Sequence, residues 1–382
     1  MNTKKYVLIS GLELNDNNRG TAALGFGAFS FLSEKFDLNE KAILCVKMFR
    51  NPCKIFRKNE YEEILEINDK EYKLINIYIW TIDELLLKFF GFVLPFSKYR
   101  KYKRYIEYVA AINGGDGISD IYNTLTFESR LRDMIFAKAY NIPLIFLPQT
   151  IGPFQNKRNL AIATRLLKYA TKIYVRDLEF ATEFEKLGIS YKLEKDLSFH
   201  MKPQPVKENI QSKAVGLNIS GLAYFNNFRA LSGQFENYPF LIREIINYFQ
   251  SLGVPIYLIS HSYNYTNPEI NNDDLCASKE VYNTIKNKDN VYVIGKDLKS
   301  PQIKYIISQC SFFIGTRMHA NFAAIFTGTP VFGLSYSYKF AGAFDSLGLS
   351  DSYANIRNLA KTDIPKVLSN IKNSYSQVVN DI

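Results

Sequence analysis

Three histidines in 382 residues are few enough that each position carries information. His319 closes Gly315-Thr316-Arg317-Met318-His319, directly after the apolar run Phe312–Ile314 and where a helix should begin. Arg317 offers a planar fork that suits phosphate or carboxylate, and His319 can donate to an anion or carry a proton near neutral pH. His261 follows the run Ile256–Ser260 in the same way, and His200 closes Asp196–His200. Lys339 lies just past the run Pro330–Leu334, where it could reach an anion held at neighbouring strand ends. These positions suggest anion chemistry.

Other strand endings carry further candidates. Asn18 and Arg19, in Asn17-Asn18-Arg19-Gly20-Thr21, open a helix whose free N–H groups could hold an anion. Asn113-Gly114-Gly115-Asp116-Gly117 follows another apolar run; Gly115 and Gly117 let backbone approach a ligand, and Asp116 or Asp120 could serve as an acid. Gln149 opens the loop to Pro153, and Arg176-Asp177 follows Lys172–Val175, where a buried Arg–Asp pair is an equally ordinary reading. No Walker-type loop and no G-x-S-x-G occurs. A metal is not expected: there is no D-x-D, Asp273-Asp274 are adjacent, and the histidines are far apart.

The elements that must position these residues alternate. Short apolar runs (Tyr6–Ser10, Lys41–Met48, Tyr108–Asn113, Pro143–Pro148, Lys172–Val175, Val215–Ser220, Pro255–Ser260, Val291–Ile294, Phe312–Gly315, Pro330–Leu334) read as strands, several of them apolar on nearly every residue as burial on both faces requires. Helical patterns separate them, among them Thr21–Phe36, Arg158–Ala170, Pro239–Leu252 and Pro301–Gln309. This predicts α/β architecture with doubly wound sheets. Pro203 and Pro205 mark a seam, so the expected division is a first domain over 1–202, a linker over 203–213 and a second domain over 214–336. Residues 337–382 are read as C-terminal helices that could cross back to the first domain.

Hydrophobic residues at 47% and charged residues at 22% exclude disorder and fibrous repeats. The longest uncharged apolar stretch, Phe89–Phe96, is too short to span a bilayer, and a cytoplasmic chain is expected. Four scattered cysteines (Cys45, Cys53, Cys276, Cys310) indicate neither a zinc site nor a disulfide framework. Net charge is +10, which points to an anionic partner. Lys98, Arg100, Lys101, Lys103 and Arg104 crowd five cations into seven residues after the apolar stretch 85–96. No nucleic-acid module accompanies them, so the candidates are a solvated face or an anionic membrane surface reached through 85–104. Oligomeric state is not readable from the sequence.

Taken in order, these pieces resemble a known family. They are Asn18–Ala23, Gly114–Gly117 with Asp120, Gln149–Pro153, Tyr174–Asp177, Asp196–Phe199, Ser260-His261-Ser262 with Asp273-Asp274, Thr316–Ala320 and Tyr338-Lys339. Over about residues 6–350 they are similar to the polysaccharide pyruvyl transferases. The resemblance implies a GT-B-like fold, two Rossmann-like domains with an interdomain cleft, acceptor on the first domain and donor on the second. It implies phosphoenolpyruvate as donor substrate, no cofactor or metal, and a glycan acceptor, free or lipid-linked, that is a precursor of capsule or exopolysaccharide. His319 and Asp116 are then the candidate catalytic pair. Arg317, Arg176, Lys339, His261, Gln149, Gly115, Gly117, Asn18 and Arg19 would bind substrate. A metal-independent nucleotide-sugar glycosyltransferase of the same fold, or a non-catalytic relative that keeps the cleft, are the alternatives.

Overall fold

The computed structural model describes residues 5–38, 41–48, 60–121 and 123–380; Cys53 lies outside the described residues. The chain divides into two compact units, Met1–Leu14 with Leu24–Met201, and Asn15–Ala23 with Lys202–Ile382. This division differs from one made at the seam alone. Residues Asn15–Ala23, which hold the first candidate motif, pack with the second unit, and so does the C-terminal helix Ile364–Asn380.

Eight strands form the sheet of the first unit: β1 (Tyr6–Ser10), β2 (Ala42–Met48), β3 (Glu60–Ile67), β4 (Lys70–Ile79), β5 (Ile106–Ala111), β6 (Leu144–Gln149), β7 (Lys172–Val175) and β8 (Lys192–Leu193). Their order is β3-β4-β2-β1-β5-β6-β7-β8, parallel except for β3 against β4. β1 and β6 are buried almost throughout, as strands covered on both faces must be. The β3–β4 hairpin was not expected from the sequence. Its strand β3 carries four glutamates and is largely exposed, so no apolar run announces it. The turn does: Asn68 and Asp69 both take left-handed backbone, the geometry of a two-residue hairpin.

The second unit has six parallel strands: β9 (Val215–Asn218), β10 (Ile256–Leu258), β11 (Val291–Val293), β12 (Phe312–Gly315), β13 (Val331–Ser335) and β14 (Tyr353–Asn355). Their order, β11-β10-β9-β12-β13-β14, is the Rossmann order 3-2-1-4-5-6. The final helix carries Ile364, Val367, Ile371 and Tyr375 into the core of this unit, where Tyr375 meets Phe249 and Phe312.

That topology fixes where function can sit. In such sheets ligands bind beyond the carboxyl ends of the two central strands, where successive connections leave in opposite directions. In the second unit those strands are β9 and β12, and in the first they are β1 and β5. The glycine-rich segment follows β5, and Arg317 follows β12.

Candidate anion site of the second unit

The ends of β9 and β12 are tied together by Asn218, whose Oδ1 accepts the Arg317 backbone N–H at 2.9 Å. The Arg317 guanidinium turns toward the helix Asp274–Thr284. Its Nη2 donates to Asp274 Oδ1 at 2.8 Å and to the Asn272 carbonyl at 2.9 Å, and its Nε donates to Asp274 Oδ1 at 3.1 Å. Asp274 is wholly buried and is the hub of this end of the sheet. Its carboxylate also accepts from the backbone N–H groups of Gly221, His261 and Ser262 and from Asn218 Nδ2. The fork that the sequence offered to a phosphate is therefore largely spent on a carboxylate of the protein.

Asn18 and Arg19 are built into the same unit. Asn18 bridges Ser262, and its Oδ1 accepts the Gly20 N–H at 3.0 Å, capping the helix Arg19–Phe36. Arg19 donates to the Leu298 carbonyl (2.8 Å), the Asp16 carbonyl (2.7 Å) and Asp297 Oδ1 (2.9 Å), and its guanidinium lies over the Tyr263 ring. It acts as a staple for segment 15–23. Gly20 leaves room for His319: a β-carbon on Gly20 would stand 2.6 Å from His319 Nδ1 and 2.8 Å from Cγ. His319 itself is half-buried in the first turn of the helix Met318–Ile325, edge-on to Phe322.

His261 is buried close to these cations. Burial first, then the nearby His319, Arg317 and Arg19, push its pKa well below the usual 6.5. The sequence candidates His261, Arg317, His319, Arg19 and Asn18 thus converge at the carboxyl edge of one sheet. Lys339 is half-buried in the first turn of the helix Tyr338–Ser346, just after β13.

The depressed imidazole has a consequence for stability. Unfolded chain takes up a proton near pH 6.5, while folded His261 resists it, so acid favours unfolding. His200 adds to this in the same direction, its pKa lowered chiefly by burial. Between about pH 7.5 and about pH 5.5 stability, read as the urea midpoint, should fall, the slope from His261 approaching about 1.4 kcal/mol per pH unit below pH 6.5 and His200 adding a smaller part. His261→Gln should flatten that slope. An unchanged midpoint in the wild type would rule the effect out.

In the first unit the candidates form a separate network. Arg176 donates through Nη1 to Asp196 Oδ2 at 2.7 Å and through Nε to Thr150 Oγ1 at 3.0 Å; its sequence neighbour Asp177 is 3.8 Å away. Asp196 in turn caps the short helix Leu197–His200 by accepting from Ser198. Gly115 sits at φ 83° with no room for a side chain, since a β-carbon would stand 3.0 Å from Arg176 Nη1 and 2.7 Å from Leu24. Asp116 lies in the field of Arg176 and 3.8 Å from Arg130 Nη1. Gly117 is buried against Asn113.

Several residues prove to be framework. Gln149 is completely buried and donates to the Ala111 and Leu147 carbonyls, riveting β5 to β6. Asp120 accepts from the backbone of Gln155 and Asn156 and from Asn159 Nδ2. Burial alone would raise its pKa, but these bonds outweigh it and hold the carboxyl below the ordinary range. His200 packs edge-on to Phe31 and Phe199. Sequence reasoning passed over Asn218, Asn272 and Tyr336, and took Asp274 only together with Asp273, as a pair unsuited to a metal and as part of the family resemblance; Tyr336 accepts a further hydrogen bond from Arg317. Among the described residues no group of three His, Cys, Asp or Glu is placed to hold a metal.

Comparison with known proteins then gives the family. The model for polysaccharide pyruvyl transferase matches residues 18–338. The amylovoran biosynthesis protein AmsJ of Erwinia amylovora is 21% identical over 283 residues, 70% of this chain and 66% of that protein, so the match spans just under two thirds of the relative. Among solved structures, the S. aureus MnaA–UDP co-structure superposes with a TM-score of 0.55 at 13% identity, over 98% of this chain and 90% of that one. A Listeria monocytogenes structure named as a UDP-N-acetylglucosamine 2-epimerase gives 0.55 at 11%, with the same coverage. At such identity the likeness is one of fold: a GT-B-like pair of parallel-sheet α/β domains.

Proposed function

The chain belongs to the polysaccharide pyruvyl transferase family, and from that premise we propose that it moves the pyruvyl group of phosphoenolpyruvate onto two hydroxyls of a surface-polysaccharide precursor. The observation that carries the reading is the convergence of His261, His319, Arg317 and Arg19 at the central strand ends of the second unit. Phosphoenolpyruvate brings a phosphate and a carboxylate, and such a ligand needs several donors placed in advance. The N-terminus of the helix Met318–Ile325 adds its own N–H groups there.

The reaction balances as one phosphoenolpyruvate plus one diol giving a cyclic ketal plus phosphate. A proton adds to the enol methylene, which becomes the methyl group. A sugar hydroxyl then bonds to the cationic carbon and gives up its proton. Phosphate leaves with the C–O bond electrons, and the second hydroxyl takes its place with loss of its own proton. His319 is our candidate for holding the phosphate or moving a proton, and Asp116 for a carboxylate that moves one. Arg317, held by Asp274, supplies fixed positive charge rather than a free fork.

The test is donor binding. Phosphoenolpyruvate should raise the thermal midpoint and bind in calorimetry, while UDP-sugars should do neither. Protection by a UDP-sugar and not by phosphoenolpyruvate would replace this reading with a glycosyltransferase.

A further inference from the structure

The helix Thr81–Phe90 in the first unit is turned inside out. Surface helices normally present polar side chains to water. Here Asp83 and Leu87 face inward, and Ile82, Leu85 and Phe89, at helical spacing i, i+3 and i+7, face outward. Phe90, Phe92 and Phe96 extend this surface beyond the helix. Phe89 is 65% exposed, Phe90 71% and Phe96 66%. The aromatic side chains of this stretch are thus at the surface.

The protein holds them there with a built frame. Asp83 accepts the Leu94 N–H at 3.0 Å, and the Tyr140 hydroxyl accepts the Val93 N–H at 3.1 Å. Gly91 closes the helix by donating to the Leu87 carbonyl, and Trp80 meets the Phe96 ring edge-on at 5.7 Å. Tyr99 and Tyr102 are buried behind the next short helix, Lys98–Tyr102, with the Tyr99 hydroxyl on Asp133. Ordered backbone beneath exposed aromatics marks a surface meant to be covered.

The neighbouring charge says by what. Lys98 and Lys101 share one acid, Glu60, and Lys88 is paired with Glu128. Arg100 and Arg104 are exposed with no ion pair among the described residues. Among the described residues, five cations at 98–104 therefore face one neutralising carboxylate, Glu60, whose own pKa is held at about 2: burial would raise it, but hydrogen bonds from Tyr102, Lys98 and Lys101 prevail.

We propose that this face, from Ile82 to Arg104, docks on an anionic lipid bilayer, with Phe89, Phe90, Phe92 and Phe96 entering the headgroup–acyl boundary and the arginines and lysines on the anionic lipids. A second copy seated on the same patch would bring two identical cation clusters together, which disfavours it. Among the described residues no helix is long and apolar enough to cross a membrane, so attachment would be peripheral. The inference does not depend on the donor, and its failure would leave the transferase reading untouched.

The test is cosedimentation of the full chain with phosphatidylcholine vesicles, with and without phosphatidylglycerol. Binding should require phosphatidylglycerol and weaken as salt shortens the Debye length. Arg100→Gln/Arg104→Gln should weaken it by about fivefold per cation removed. Phe89→Ser/Phe90→Ser should abolish it without shifting the thermal midpoint, because both rings are already exposed. Wild-type protein that stays in the supernatant with anionic vesicles at low salt overturns the proposal. So does binding that ignores both phenylalanines, or an ultracentrifugation dimer that the same substitutions dissociate.

Discussion

Asp274→Ala is expected to cost the folded chain about 3–5 kcal/mol, read as a loss of urea midpoint. The carboxylate is fully buried and accepts from three backbone N–H groups, from Asn218 and from Arg317. Removing it leaves a buried guanidinium uncompensated and several donors without an acceptor, and each unsatisfied donor carries its own desolvation penalty. Asp274→Asn should cost less, since one amide oxygen still accepts. Arg317→Ala should fall between the two, because the carboxylate keeps its backbone donors. If Asp274→Ala lost less than 1 kcal/mol, the carboxylate would not be the hub that holds this end of the sheet together.

The same hub explains what could and could not be read in advance. Strands such as Tyr6–Ser10, Lys172–Val175 and Phe312–Gly315 were legible because apolar residues at nearly every position mean burial on both faces. Strand ends followed by Arg, His or Gly were legible for the same reason, since the topology of a parallel sheet puts them on the ligand side. Partner choice was not. Arg176 hydrogen-bonds Asp196 and keeps only a longer ion pair to the adjacent Asp177, and Arg317 reaches Asp274, whose place beside it depends on helix packing far along the chain. Gln149 sits at a strand end as expected, yet its side chain serves the sheet interior, which no local pattern could distinguish. Exposed β3 escaped notice because glutamates hide its periodicity, although Asn68-Asp69 offered a turn signal.

The largest effect on turnover is expected at His319. If it holds the departing phosphate or moves a proton, His319→Ala should lower the rate of phosphate release by about 10²–10⁴. His319→Gln separates the roles: a side chain that only donates to phosphate leaves a useful amide, whereas a proton carrier leaves none. Gly20 supplies an independent check that does not touch the imidazole chemically. Its missing β-carbon is what admits the ring, and a methyl group 2.6 Å from Nδ1 must push it aside. A displacement on the order of 1 Å at a reacting group can cost about 10²-fold. Gly20→Ala should therefore follow His319→Ala in reduced turnover, while circular dichroism changes far less; phosphoenolpyruvate affinity falls with it if His319 holds the phosphate and stays if His319 only moves a proton. The comparison has a decisive arm: full turnover in Gly20→Ala with a folded chain would mean that the placement of His319 is not what the reaction needs, and the candidate proton carrier would have to be sought elsewhere.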